Sequence, residues 1–213
     1  MITAVVPVKA LPASKSRLRG DFDSPFFERL AGAMLRDVIA ALRDVPAIAR
    51  VVVATPDADV AAVARSAGAE ALLRDDSGLN AALEAAAADV ATGPADGVLV
   101  VLGDVAGARS EEIAQLIDAL PGPGVALAPS RDGGSSALLR IPGDAIPAGF
   151  GPDSAEVHRE RAARAGVDFR ELSLPSLAVD VDRRDDLTTL LASAAPAPHT
   201  RALCHELAEY TGE

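Results

Sequence analysis

Short apolar runs alternate with longer segments of helical periodicity along most of this chain. The runs Ile2–Val8 and Gly97–Leu102 are almost wholly apolar, which is typical of parallel strands buried on both faces. The segment Phe26–Arg43 instead places its apolar residues three and four positions apart, which indicates an amphipathic helix. Strand and helix in regular alternation predict an α/β fold of three αβα layers around a mostly parallel central sheet.

The same patterns predict the remaining elements. Further strands are expected at Arg50–Ala54, Ala69–Leu73, Val125–Ala128, Ala137–Ile141, Val167–Leu172 and Leu177–Val181. Further helices are expected at Asp57–Ala67, Leu79–Ala91, Ser110–Leu120, Ser154–Ala165, Arg184–Leu191 and Thr200–Glu209. After residue 130 the rhythm changes, and we expect antiparallel strands that complete a pocket. Residues 1–192 are predicted to form one domain, followed by a linker and short helical tail at 193–213.

Charge and composition narrow the class of partner. The formal net charge is −11, which argues against nucleic acid or an anionic membrane as a partner, because both require a basic surface. No apolar run reaches the roughly 18 residues of a membrane span, and Met1 leads directly into the first strand, so we expect a cytoplasmic protein. The single cysteine, Cys204, cannot form an internal disulfide. The first twenty residues contain four basic residues and no acidic one; they indicate either a small-anion site or a solvated loop.

Several polar residues follow the predicted strands, where open parallel sheets bind their ligands. Lys9, Lys15 and Arg17 follow the first strand and could neutralise a triphosphate. Gly78 and Asn80 follow the third strand, where glycine lets the backbone approach a flat base and the amide can pair with its edge. In the alternative, Asn80 only helps to begin a helix.

Three aspartates are candidate metal ligands. Asp104 follows the buried fourth strand, and Asp180 and Asp182 flank Val181, so both should point to one face of an extended segment. Magnesium prefers carboxylate and phosphate oxygens, and this set predicts an Mg²⁺ site. In the alternative, these residues cap helices.

Two glycine and serine loops suggest a second anion site. They contain Ser136 in one loop and Gly151 and Ser154 in the other, and the latter loop opens a helix whose N-terminus attracts phosphate. Ordinary turns are the alternative. The chain lacks the P-loop, dinucleotide-binding and nucleophile-elbow motifs. Its histidines, His158, His199 and His205, are predicted to have surface or tail roles.

Six segments taken together resemble the CofC/FbiD family, the guanylyltransferases of coenzyme F-420 biosynthesis. The similarity covers roughly residues 4 to 190, and its segments are Val6–Leu18, Ala33–Val38, Thr55–Asp57, Gly78–Ala82, Phe150–Ser154 and Asp180–Leu187. The resemblance implies the nucleotide-diphospho-sugar transferase fold of GT-A or MobA type. It also implies GTP as donor, phosphoenolpyruvate or 2-phospho-L-lactate as acceptor, and pyrophosphate as by-product.

Carried onto matching positions, the resemblance assigns roles to particular residues. Asp104, Asp180 and Asp182 would hold magnesium, and Asp104 would act in catalysis with Lys15 and Arg17. The remaining assignments are GTP at Lys9, Gly78 and Asn80, and the acceptor phosphate at Ser136, Gly151 and Ser154. A homodimer is left open.

The chain departs from the family pattern at two places. The family usually has D-L-P where this chain has Asp104-Val105-Ala106, and G-T-N or G-T-G-T where it has Gly134-Ser135-Ser136. Two alternatives therefore stand beside the guanylyltransferase. One is a related transferase with another nucleotide or with an acceptor such as 3-phosphoglycerate, and the other is a non-catalytic nucleotide-binding homologue.

Overall fold

The fold is given by a computed structural model that describes residues 1–10, 24–75, 78–91, 93 and 95–211. Lys15 and Arg17 lie outside the described residues. Seven strands form one sheet, and they are β1 Ile2–Pro7, β2 Ile48–Thr55, β3 Glu70–Leu73, β4 Gly97–Val101, β5 Gly124–Pro129, β6 Ser135–Ile141 and β7 Phe169–Glu171. The helices of the described residues are α1 Ser24–Arg43, α2 Ala58–Ser66, α3 Leu79–Val90, α4 Ser110–Asp118, α5 Ser154–Ala165, α6 Arg184–Ala192 and α7 Pro198–Thr211.

The sheet is mixed, and its strand order is β3-β2-β1-β4-β6-β5-β7. Strand β6 runs antiparallel to β4 and to β5, whereas the other neighbouring pairs are parallel. The carboxyl ends of six strands therefore lie at one edge, together with the start of β6. This confirms the mostly parallel sheet. After residue 130, β6 is antiparallel as expected, whereas β7 is parallel to its neighbour β5.

Helices cover both faces of the sheet, which confirms the three-layer αβα architecture. Alternate residues of each central strand face opposite layers, as the two-residue period of a strand requires. Side chains such as Val6 and Leu99 pack against α1, α2 and α4, whereas Val5 and Val100 pack against α3 and α5. Nearly every side chain of β1 and β4 is buried, which explains their almost unbroken apolar character.

The predicted strand Leu177–Val181 is wrong. The chain turns at Pro175, where the N–H of Leu177 donates to the carbonyl of Leu174 at 3.0 Å. The N–H of Val181 then donates to the carbonyl of Asp104 at 3.0 Å rather than joining a ladder. Apolar residues favoured a strand, but the turn and this loop contact determine the local backbone.

The C-terminal tail packs against the body of the protein. Asp37 of α1 is buried, and its carboxylate accepts hydrogen bonds from the N–H groups of His199 and Thr200 and from the Thr200 hydroxyl at 2.7 to 2.9 Å. Leu203 packs with α1 and α6 in a third apolar cluster. A buried aspartate that caps α7 in this way fixes the tail to α1.

Within the described part of the chain, no helix combines the length and apolar character needed to cross a bilayer.

Candidate active site

Three carboxylates meet beyond the end of β4. Asp104 follows β4, and Asp180 and Asp182 lie in the segment that leads into α6. One oxygen from each residue can be chosen so that all three lie within 4.8 Å of one another. Val181, between the last two aspartates, is fully buried, as the predicted alternation requires. The structure therefore brings the three predicted metal ligands together at the carboxyl edge of the sheet.

Backbone contacts hold this group of aspartates in place. The hydrogen bond from the Val181 N–H to the Asp104 carbonyl joins the two segments that carry the carboxylates. The carboxylate of Asp186 accepts from the N–H groups of Asp182 and Arg183 at 3.1 and 2.8 Å. Asp186 thus takes part in capping the turn into α6, the role that the sequence left open for Asp182.

The electrostatics of the group suit a cation. Burial, and then the negative charges of Asp104 and Asp182, raise the pKa of Asp180 to about 6. Like charges held this close disfavour ionisation, and a divalent cation would offset their repulsion. The donor set is all oxygen, which is the set that Mg²⁺ prefers.

The pKa shift of Asp180 predicts a pH-dependent stability of the metal-free protein. Because the folded-state pKa of about 6 exceeds the ordinary 3.8, ionisation of Asp180 opposes folding above pH 6, and this cost disappears below the unfolded pKa. Asp180→Asn is therefore expected to raise Tm at pH 7.5, with the gain shrinking as the pH approaches 4. Thermal unfolding in a chelator, followed across this range, measures the difference, and a gain independent of pH would contradict it.

A cavity of about 310 Å³ opens at the carboxyl ends of β1, β2 and β3. Its lining includes Lys9, Thr55, Arg74 and Gly78. Gly78 has φ +109°, and a Cβ added there would meet nothing within 4 Å. A volume of this size is in the lower part of the range of small-molecule sites, roughly 300 to 1,000 Å³.

The cavity reaches close to the aspartates. Val8 is among its lining residues, and a Cβ at Gly103 would lie 3.1 Å from the Val8 side chain. Gly103 directly precedes Asp104. The segment that contains Val8 and Lys9 therefore lies beside the loop that carries Asp104, at the same edge of the sheet.

Asn80, for which the sequence predicts a base-binding role, is bonded through its amide to the backbone of Phe150. Its amide donates to the carbonyl of Phe150 at 3.0 Å and accepts from the N–H of Phe150 at 2.8 Å. These bonds fasten the start of α3 to the loop before Gly151. The two contacts use one donor and one lone pair of the amide, and its base-binding role stays a prediction.

The glycine and serine loops come together at the N-terminus of α5. The N–H of Ala155 donates to the carbonyl of Gly133 at 3.2 Å, and Ser154 donates through its hydroxyl to Ser135 at 3.1 Å. Ser136 is fully buried, and its hydroxyl has no hydrogen-bond partner among the described residues. The pairing of β5 with β6 shifts register beside these serines, a feature common next to functional sites. We call Ser135, Ser136, Gly151 and Ser154 the serine cradle.

The cradle adjoins the aspartates. The carbonyl of Ser136 accepts from the N–H of Leu102, just before Asp104, at 3.0 Å. The N–H of Arg131 donates to the carbonyl of Ala178, just before Asp180, at 3.0 Å. The predicted metal ligands thus lie between the cavity on one side and the cradle on the other.

His158 is a member of this site that sequence reasoning placed at the surface, and that prediction is wrong. Its side chain is fully buried, and its ring bonds to Ser135 and to the backbone of Gly149 at 2.9 and 3.0 Å. The spacing of four from Ser154 puts both side chains on one face of α5. That spacing, read beside the loop glycines, is the signal that would have found it.

Comparison with known proteins shows the family to which this chain is similar. The family described as "Guanylyl transferase CofC like" matches residues 2–202. A phosphoenolpyruvate guanylyltransferase of Sphaerobacter thermophilus is 37% identical over 192 residues, covering 90% of this chain and 93% of that protein. One of Rubrobacter xylanophilus is 39% identical over 195 residues, covering 90% and 94%.

The fold has relatives among solved structures. A structure from Desulfovibrio desulfuricans, named for a nucleotide-diphospho-sugar transferase, superposes with a TM-score of 0.77 at 18% identity, covering 96% of this chain and 94% of that one. The nucleotide-diphospho-sugar transferase type of fold expected from the resemblance is therefore confirmed. The chain is a nucleotidyltransferase, and it belongs to the family of CofC-like guanylyl transferases.

Proposed function

We propose that this protein joins GMP from GTP to phosphoenolpyruvate, or to 2-phospho-L-lactate, and releases pyrophosphate in coenzyme F-420 biosynthesis. The observation that carries the proposal is the position of the three aspartates between the cavity and the serine cradle. The names of the relatives from Sphaerobacter and Rubrobacter favour phosphoenolpyruvate as the acceptor.

The aspartates fit a magnesium ion. Asp104, Asp180 and Asp182 would hold it through carboxylate oxygens that lie within 4.8 Å of one another. Burial and the charges of Asp104 and Asp182 raise the pKa of Asp180, and a bound cation would offset the repulsion among these carboxylates. When bound, such an ion neutralises phosphate charge and orients the transferring group.

The nucleotide fits the cavity at the ends of β1 to β3. In this proposal Gly78 lets the backbone approach the base, and Lys9 neutralises phosphate charge. The roles given to Lys15 and Arg17 remain predictions, because both residues lie outside the described part of the chain. A cavity that adjoins Asp104 suits a donor whose phosphates must reach the carboxylates.

The acceptor fits the serine cradle. Ser136 and Ser154 are hydroxyl donors with fully buried side chains, and the N-terminus of α5 favours a negative charge. Gly151 has φ +142°, and a Cβ there would meet nothing within 4 Å. Space at this glycine and donors around it suit an anionic oxygen of the phosphorylated acid.

The reaction then requires alignment rather than a proton acceptor. A phosphate oxygen of the acceptor attacks the α-phosphorus of GTP, and the bond from that phosphorus to the bridging oxygen breaks as pyrophosphate leaves with the electron pair. A phosphate monoester has a second pKa of about 6, so its oxygen is already ionised at neutral pH. The protein contributes by holding both substrates in line and by neutralising charge.

Pyrophosphate release from GTP in the presence of Mg²⁺ tests the function. We expect release with phosphoenolpyruvate or 2-phospho-L-lactate, and a product mass equal to GMP joined to the acid. Matched reactions with ATP, CTP and UTP, and with 3-phosphoglycerate, distinguish a related transferase. GTP binding without release from any acid would instead support a non-catalytic homologue.

A further inference from the structure

The protonation state of His158 follows from its hydrogen bonds. The N–H of Gly149 points at Nε2 of the ring at 3.0 Å, and a backbone N–H can only donate, so Nε2 must carry a lone pair. The proton of the neutral ring therefore lies on Nδ1, which faces the Ser135 hydroxyl at 2.9 Å. Burial, followed by the charges of Arg161 and Arg140, lowers the pKa of His158 to about 4, in agreement with a neutral ring at physiological pH.

With His158 in this tautomer, one hydroxyl proton of the Ser135–Ser154 pair is not used in the hydrogen bonds among these three residues. Ser135 accepts from Nδ1–H, so it cannot donate to the histidine. Ser135 and Ser154 share one hydrogen bond of 3.1 Å, which uses one of their two hydroxyl protons. The other proton has no acceptor among the described residues, and an oxygen in the cradle would be its natural partner. Ser136 adds another buried hydroxyl, which has no hydrogen-bond partner among the described residues.

The same ring also positions the loop that contains Gly151. Besides accepting from Gly149, it packs edge-on against Phe150, with ring centroids 5.1 Å apart. Phe150 is in turn bonded through its backbone to Asn80. His158 therefore contacts both halves of the cradle, the start of β6 and the loop before α5.

We propose that His158 is a positioning residue that makes the Ser135–Ser154 pair a hydrogen-bond donor to an anionic oxygen of the acceptor. The identity of the acceptor in this inference rests on the proposed function. The inference goes beyond that function because it names the residue that makes the serine pair a hydrogen-bond donor. An anion is the class of ligand selected, because the serine pair has a hydroxyl proton to donate and lies at the positive end of the α5 dipole.

Two amide substitutions at His158 test separately the hydrogen bonds of its ring to Ser135 and to Gly149. In His158→Asn the amide nitrogen takes the approximate place of Nδ1 and can still donate to Ser135. In His158→Gln the amide oxygen takes the approximate place of Nε2 and can still accept from Gly149. We expect Gln, which loses the bond to Ser135, to raise the KM for phosphoenolpyruvate ~10-fold, the effect of one hydrogen bond. Asn keeps that bond but loses the contacts with Gly149 and Phe150, so it should raise this KM less than Gln does. The KM for GTP should stay unchanged in both variants.

The outcomes distinguish this role from a merely structural one. Equal rises in the KM values for both substrates, accompanied by a lower Tm, would overturn the proposal, as would wild-type kinetics in both variants. Ser135→Ala is expected to raise the acceptor KM as His158→Gln does. If the wild type releases no pyrophosphate with any acid, the proposed function fails.

Imidazole ¹⁵N NMR of the wild-type protein provides a readout independent of activity and of variant folding. We expect His158 to show a protonated Nδ1 and an unprotonated Nε2 from pH 6 to 8, and the opposite tautomer would overturn the proposal. Titration with inorganic phosphate and with pyruvate then separates a phosphate from a carboxylate ligand. A shift of the Nδ1 resonance with either probe supports donation to an anion, and no shift with both contradicts it.

Discussion

Replacing Asp104 with asparagine is expected to lower kcat for pyrophosphate release by ~10²–10³, the cost of removing one group that stabilises the transition state. The substitution keeps the size of the side chain and removes its charge from a group whose oxygens lie within 4.8 Å of one another. The remaining two carboxylates would hold the cation less tightly, so the Mg²⁺ concentration at half-maximal activity should also rise. Initial rates at saturating GTP and acceptor, measured across a magnesium series, give both quantities.

Asp118→Asn is a matched control, because Asp118 is exposed at the last residue of α4, away from the carboxyl edge. It makes the same chemical change and should leave kcat and the magnesium dependence as they are. Turnover near wild type in Asp104→Asn would contradict the metal assignment. An unchanged Tm for both variants would show that any loss lies in the reaction and not in folding.

The strand periodicity explains why the aspartates could be predicted as a set. A period of two placed Asp180 and Asp182 on the side opposite Val181, and the rule for parallel sheets placed Asp104 at the same edge. The local segment is not a strand, yet Val181 is buried as alternation demands. Burial of one side chain, rather than ladder pairing, was sufficient to orient its two neighbours.

The histidine and the tail were harder to predict because their environment is created by distant parts of the chain. His158 lies on a helix of largely polar sequence. Its burial depends on contacts with Ser135, at the start of β6, and with Phe150, in the loop before α5. Asp37 resembles an ordinary helix residue, but it is buried because α7 returns to pack on α1. Apart from the spacing of four between Ser154 and His158, long-range contacts of this kind leave little signal in the local sequence.

The structure also explains one departure from the family pattern. Val105 and Ala106 stand where the family usually has leucine and proline, and both are buried in apolar clusters. Their side chains pack against the body of the protein, so the change alters packing behind Asp104. The carboxylate itself is retained at the edge of the sheet, in agreement with the proposed chemistry.

Glu84→Gln is expected to destabilise the protein by about 3 kcal/mol, because it leaves a buried charge without its counterion. The guanidinium of Arg140 is fully buried and donates to Glu84 at 2.7 Å and to the carbonyl of Ile146 at 2.8 Å. Its Nε and Nη2 atoms have no hydrogen-bond partner among the described residues. Glutamine keeps an oxygen that can accept from Arg140 and from the N–H of Ala148. The lost stability therefore measures the effect of removing the negative charge. Urea unfolding at pH 7 measures it.

The two partners should respond unequally, since the Glu84 side chain is 43% exposed whereas that of Arg140 is 0% exposed. Arg140→Met removes the buried charge and leaves a carboxylate that water can reach, so it should cost less than Glu84→Gln. Adding Arg140→Met to Glu84→Gln should restore part of the lost stability, because no uncompensated charge then remains inside the protein. A double variant less stable than Glu84→Gln alone would show that Arg140 contributes mainly through packing of its long side chain.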